Sequence, residues 1–222
     1  MDFINISTIF TSAAQLWDKA QANQDFQQDQ PKTHRKLVAF LRSVFTLVPM
    51  PGKVSSRTIS NISWASVKLG IDPDIFEPGL TCKLVADFAK SVQAPNAKNR
   101  PNAQDSANFF WALGVWKHLP PDAAFSIMWA HSVALVEDAE QPLKPQESSN
   151  LLYALAQLGL AVAEKDAHIL LNSVLKYGRE SLTVQKLWQH SLESSCLGTV
   201  ARRRFISVVE PSLPSAIDHA AC

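Results

Sequence analysis

One short phrase occurs three times in this chain, and its residue types could do the chemistry of base recognition. Asn61-Ile62-Ser63-Trp64-Ala65, Asn108-Phe109-Phe110-Trp111-Ala112 and Asn150-Leu151-Leu152-Tyr153-Ala154 share the pattern N-x-x-[WY]-A. An amide carries both a donor and an acceptor and can bond a base edge. A ring three residues on can stack against a base face. Composition alone would give about 0.04 copies of the pattern, so three copies are a repeat. Each half of that chemistry also has a structural reading. A residue that never changes cannot discriminate between bases, so Asn61, Asn108 and Asn150 read as ties between units through buried hydrogen bonds, since buried amides must be paired. Trp64, Trp111 and Tyr153 fall on an apolar helical stripe and read as packing between units, as do Trp116 and Trp129. Thr58, Asp105 and Glu147, three residues before each Asn, do vary. They are mostly acidic, would repel phosphates, and count against a simple code.

Cations that could hold phosphates are Lys68, Lys98, Arg100 and Lys117, with Arg202, Arg203 and Arg204 near the end. Arg57 and Lys90 lie in the same region. Whether they share a face or are scattered over a solvated surface is open at the level of sequence. Catalytic signatures are missing: no G-x-S-x-G, no H-E-x-x-H, no Walker loop and no kinase set occurs. His34, His118, His131, His168, His190 and His219 are scattered, and none pairs with a Cys, His or carboxylate at ligand spacing. Glu137-Asp138-Ala139-Glu140 reads as a solvated acidic linker. Neither a metal site nor a cofactor is expected, and the chain is not expected to be an enzyme.

The elements that must carry the repeated phrase are helices. Ala107, Phe110, Trp111, Gly114 and Val115 fall at i, i+3, i+4, i+7 and i+8, and Ser149, Leu152, Tyr153, Ala156 and Gln157 match them position for position. Asn102 reads as an N-cap and Pro145-Gln146-Glu147 as a first helical turn. Gly70 and Gly159 stand where the first helix of a pair should stop. A second helix follows each: one opened by Pro73 and Asp74, one by Pro120-Pro121-Asp122, one from Glu164 to Tyr177. The unit is therefore helix, turn, helix, polar linker, and the chain reads as an all-α, α-α solenoid of about four to five helical hairpins. Residues 1–52 form a degenerate N-terminal hairpin, and residues 53–178 are the repeat region of three hairpins. Residues 179–210 are C-terminal capping helices, and residues 211–222 are a disordered tail. A fainter fourth copy is Gln185-Lys186-Leu187-Trp188-Gln189.

Composition agrees. The 222 residues carry 21 Lys+Arg against 20 Asp+Glu, a formal charge of +1 that excludes a generally basic nucleic-acid glove. Hydrophobic residues make up 46% and only 7 are Gly, too few for a turn-dense sandwich or a glycine-rich phosphate enzyme. Cys82, Cys196 and Cys222 form neither a C-x-x-C pair nor an even set, so a reducing compartment is the simpler reading. No charge-free apolar run reaches membrane-spanning length. Met1 to Phe10 lacks a basic start and reads as neither a secretory signal nor a transit peptide.

The phrases from Gln104 to Leu113 and from Pro145 to Gly159 resemble the octotricopeptide repeat, whose hallmark helix runs PQ-x-L-A-N-x-L-W-A-L-A-x-L-G. The same hairpin signature is similar to FAST-kinase-like proteins and to subunits of the mitochondrial RNA-editing substrate-binding complex. The likeness covers residues 55–178. The spacings of 47 and 42 residues between the three Asn exceed the family period of just under forty. No RAP module is recognisable, which removes the family's main reason to expect catalysis. The resemblance implies a single-stranded RNA partner, protein partners in a ribonucleoprotein complex, and a place in a mitochondrion or chloroplast. Two functions follow as expectations. One is a non-catalytic RNA-binding repeat protein of organellar RNA processing, stability or editing. The other is a protein-interaction scaffold using the same groove.

Overall fold

The computed structural model of the chain describes residues 3–21, 29–46, 54–136 and 143–178. The faint fourth copy, residues 179–222 with Arg202, Arg203 and Arg204, and the acidic linker at 137–140 lie outside them. Among the described residues every regular element is helical: α1 (Phe3–Gln21), α2 (Gln30–Thr46), α3 (Ser56–Lys68), α4 (Leu80–Val92), α5 (Ala103–Trp116), α6 (Asp122–Ala134), α7 (Pro145–Leu158) and α8 (Glu164–Gly178). Short 3₁₀ turns at Pro73–Ile75 and Ala97–Asn99 fill two of the connections.

Local chemistry sets the boundaries. Ser55 caps α3, its Oγ accepting from Thr58 N at 3.2 Å. Asn102 and Asp105 form a reciprocal capping box at α5, Oδ1 of Asn102 accepting from Asp105 N at 2.8 Å and Oδ2 of Asp105 from Asn102 N at 3.3 Å. Pro73 and Asp74 open only a single 3₁₀ turn, not the second helix expected there. Pro78 and Gly79, the latter at φ 79°, break the chain again, and α4 starts at Leu80. Asp74 nevertheless serves that helix, because its Oδ1 accepts from both Thr81 N and Thr81 Oγ1 at 2.8 Å. Partial burial pushes the Asp74 carboxyl up, but the two Thr81 bonds, a backbone bond from Gly79 and the field of His118 together hold the group below its ordinary value.

The principal contacts join next-nearest helices. α1 packs on α3, α3 on α5 and α5 on α7, while α4 packs on α6, and α8 lies against α7. Phenylalanines join the two series. Phe88 of α4 stacks on Phe109 of α5 with centroids 4.4 Å apart, and Phe110 meets Phe125 and Trp129 of α6 edge-on. Phe10, Phe45 and Phe76 form a third cluster that ties α1 and α2 to the turn after α3. Polar ties supplement these. Trp129 Nε1 donates to Asp166 Oδ2 of α8 at 3.1 Å, and His34 Nε2 of α2 donates to the Leu69 carbonyl at 2.6 Å. His131 of α6 makes the corresponding bond to the Pro101 carbonyl at 2.8 Å. Two of the scattered histidines thus close backbone carbonyls in the connections.

Between α5 and α7 the helices nearly touch. A Cβ placed on Gly114 would stand 2.9 Å from Ala154 Cα. The contact faces of the odd helices are correspondingly small: Ser60, Ser63, Ser66 and Ala65 in α3, Ser106 and Ala112 in α5, and Ala154 in α7 are buried.

Candidate nucleic-acid interface

The three copies of N-x-x-[WY]-A occupy the same helical register. Counted from the first residue of α3, α5 and α7, the Asn is always sixth, the ring ninth and the Ala tenth. The three Ala, fully buried, form the contact side. The polar and aromatic members do not join them. Asn61, Asn108 and Asn150, and likewise Trp64, Trp111 and Tyr153, are all half-buried. The expectation of buried amides tying hairpins together is therefore corrected. Among the described residues the side chains of Asn61 and Asn108 bond no other group, and Asn150 Oδ1 accepts only from Gln146 Nε2 of its own helix at 3.1 Å. The packing expected of the rings holds in part: Trp64 packs half-buried against the core, and all three rings are less buried than the phenylalanines and leucines that fill it. Trp129, by contrast, is buried as expected, and Trp116 is half-buried.

Steps of four, three and four residues along a helix stay on one face. In α3 they lead from Arg57 through Asn61 and Trp64 to Lys68. In α5 they run from Gln104 through Asn108 and Trp111 to Val115, and in α7 from Gln146 through Asn150 and Tyr153 to Gln157. None of these twelve positions is buried. α3 packs on α5 and α5 on α7, so three odd-numbered helices packed in sequence each carry an amide and a ring at the same position of the helix. Sequence reading placed Gln157 on the stripe of Tyr153 but missed Gln104 and Gln146 as members of this face, although the same spacing from the Asn locates them.

The acidic trio is corrected too. Thr58, Asp105 and Glu147 are each the third residue of their helix, and all three are buried. Thr58 Oγ1 shares a 2.8 Å hydrogen bond with Ser55 Oγ, and Glu147 Oε2 accepts from Lys144 N at 2.7 Å. They cap helices and do not face the row of rings. Burial raises the Asp105 carboxyl above its ordinary value, against the bond from Asn102 N and the field of Arg57. Its contribution to stability is thus greatest at low pH and is lost as pH rises through the raised pKa.

The cations divide. Lys68 Nζ lies 3.1 Å from Asp18 Oδ2 of α1 and 5.9 Å from the Trp64 ring centroid, so it steadies the ring edge as much as it offers charge. Arg100 Nε donates to the Ala94 carbonyl at 2.8 Å, leaving the rest of an exposed guanidinium outward. Lys98 belongs to the 3₁₀ turn before α5. Lys117 ends α5 in the left-handed region, φ 54°, where Gly70 and Gly159 end α3 and α7. In all three the same pair of backbone bonds closes the helix, including Ile71 N to Ser66 O, His118 N to Leu113 O and Leu160 N to Leu155 O. A lysine held there costs roughly 1 kcal/mol relative to glycine. Lys117→Gly is accordingly expected to raise stability by about that amount in chemical denaturation while removing a charge from the end of the row.

Two groupings lie outside this face. Cys82 Sγ comes within 3.9 Å of His118 Nε2, a pair 36 residues apart that no ligand spacing in the sequence marks. His168 Nε2 sits 3.9 Å from Glu164 Oε1, one turn away on α8. Among the described residues no three metal-binding side chains converge, and no helix is long and apolar enough to cross a membrane. No family model matches the chain, and no curated protein or solved structure matches it either.

Proposed function

We propose that the chain is a non-catalytic RNA-binding α-solenoid in which successive hairpins each present an amide and a ring to a single-stranded segment. The observation that carries this reading is the shared register of Asn61/Trp64, Asn108/Trp111 and Asn150/Tyr153 on half-buried faces of helices packed one on the next. Single-stranded RNA offers unstacked bases with free edges, the groups that such pairs complement. Removal of Asp105 and Glu147 from the face takes away the repulsion that argued against phosphate contact. A lysine retained in a strained conformation at Lys117 favours a use for its charge. The likeness of the repeated phrase to octotricopeptide-type helices points the same way, and with it comes the proposal of organellar RNA processing, stability or editing in a mitochondrion or chloroplast.

A protein scaffold using the same face is the second reading, favoured by the formal charge of +1 and by the pairing of Lys68 with Asp18. Titration of the chain into a labelled random single-stranded RNA pool separates the two. Micromolar binding that weakens roughly 20-fold between ~50 and ~200 mM salt is expected for about three phosphate contacts. Absence of binding at ~50 mM salt by a folded chain, or binding indifferent to salt, would sink the RNA reading.

A further inference from the structure

We propose that the groove between α1 and α2 docks an amphipathic helix of a partner protein, one whose aliphatic ridge carries acidic side chains at one end. The groove encloses about 490 Å³, walled by Ile9, Ala13 and Leu16 from α1 and by Leu37 and Phe40 from α2, with Trp17 also lining it. Leu16 is 66% exposed and Phe40 55%, among the most open large apolar side chains of the described residues. Contiguous exposed apolar surface of this kind marks an interaction site. Its walls are mainly aliphatic and concave, which suits the ridge of a helix better than the flat face of a base or a lipid surface. The site also continues an interface that the fold already uses. α3 and α5 each lie between two odd-numbered helices, and α1 packs on α3, while among the described residues no helix packs on this second apolar face shared with α2.

Charge identifies the occupant further. α2 carries Lys32, Arg35, Lys36 and Arg42 and no acid. By helical spacing Lys32 and Lys36 run along the ridge beside Thr33, Leu37 and Phe40, and Lys19 stands one turn beyond Leu16. All three lysines are exposed and have no ion-pair partner among the described residues. The nearest acid on α1, Asp18, is taken by Lys68. Trp17 faces His34 at 5.0 Å while Phe10 faces Phe45 at 6.4 Å, so α1 and α2 run antiparallel. The three lysines therefore gather at the Trp17–His34 end, where they outnumber the single exposed acid before α2, Asp29, and the Ile9–Phe40 end is mainly apolar.

The test uses three labelled synthetic helices of about 16 residues. One has a leucine ridge with glutamates at one end, one has lysines in their place, and one has its leucines replaced by asparagine. The acidic helix is expected to bind at least tenfold more tightly than either control. Leu16→Gln should weaken it at least fivefold, and the double variant Lys32→Glu/Lys36→Glu should reverse the charge preference. Both changes fall on exposed positions, and circular dichroism checks the fold. Equal binding of all three helices, no binding, or indifference to Leu16→Gln overturns the proposal. So does any of three findings abolished by Leu16→Gln in the absence of peptide binding: binding to vesicles of mixed phosphatidylcholine and phosphatidylglycerol, binding to single-stranded RNA, or self-association in sedimentation. Trp64, Trp111 and Tyr153, the rings of the RNA reading, do not line this groove, so the two readings fail separately.

Discussion

Replacing Gly114 by leucine is expected to destabilise the chain by about 3 kcal/mol, the larger part from forcing α5 and α7 apart. An added Cβ would stand 2.9 Å from Ala154 Cα and 3.3 Å from its Cβ, inside the ordinary contact distance of about 3.5–4.0 Å. The obstructing atoms include backbone, which no rotamer change can remove. Helix propensity acts in the opposite direction, since a mid-helix glycine costs roughly 0.5–1 kcal/mol relative to alanine. Gly114→Ala should therefore lose less than Gly114→Leu, on the order of 1 kcal/mol after that gain. Denaturant midpoints of the two variants check the ordering. A more stable Gly114→Ala would mean that the helices have room to spare.

The triple variant Trp64→Ala/Trp111→Ala/Tyr153→Ala is expected to abolish RNA binding while leaving the chain folded. Stacking is worth roughly 1–3 kcal/mol per base, which is about 5- to 150-fold in affinity for each ring lost. Were the rings the packing between hairpins, the same change would unfold the array. Phe109→Ala is the calibrating variant, because Phe109 is fully buried against Phe88 and should lose about 3–5 kcal/mol. Anisotropy with single-stranded RNA and a thermal melt of both variants decide the matter. A triple variant that melts as early as Phe109→Ala would return the rings to the core.

Much of this could be read from residue types alone. The repeat, its helical setting, the Asn102 cap, the starts at Pro145 and Asp122 and the stops at Gly70 and Gly159 all follow from local chemistry. Which side of each helix faces inward did not follow. Burial is judged from side-chain size and polarity, and beside the buried Ile59, Phe109 and Leu151 the inward sides here include Ser60, Ser63, Ser66, Ala65 and Gly114, residues that carry little hydrophobic signal. Close packing of small residues leaves little room for a Trp, so the rings move to the rim. The acidic trio was misplaced for a related reason. A carboxylate at the third position of a helix turns back to its cap, and only the true first residue of the helix reveals that. Lys117 in a glycine conformation, and the meeting of Cys82 with His118, depend on turns that no spacing announces.

The packing of each odd-numbered helix on the next also governs how the chain comes apart. Its principal contacts span about one repeat in sequence, so loop closure is cheap and folding can begin at more than one place. A helix flanked on both sides, such as α5, opens only after a neighbour has left. α1 gives up a single such partner, α3. A described helix with one such partner is therefore expected to open before a helix with two. The amide–ring pairs of α3 and α5 sit on doubly held helices, whereas the groove of α1 and α2 belongs to a helix held by one such neighbour. A partner bound in that groove would therefore act as a clasp on α1 and slow its opening.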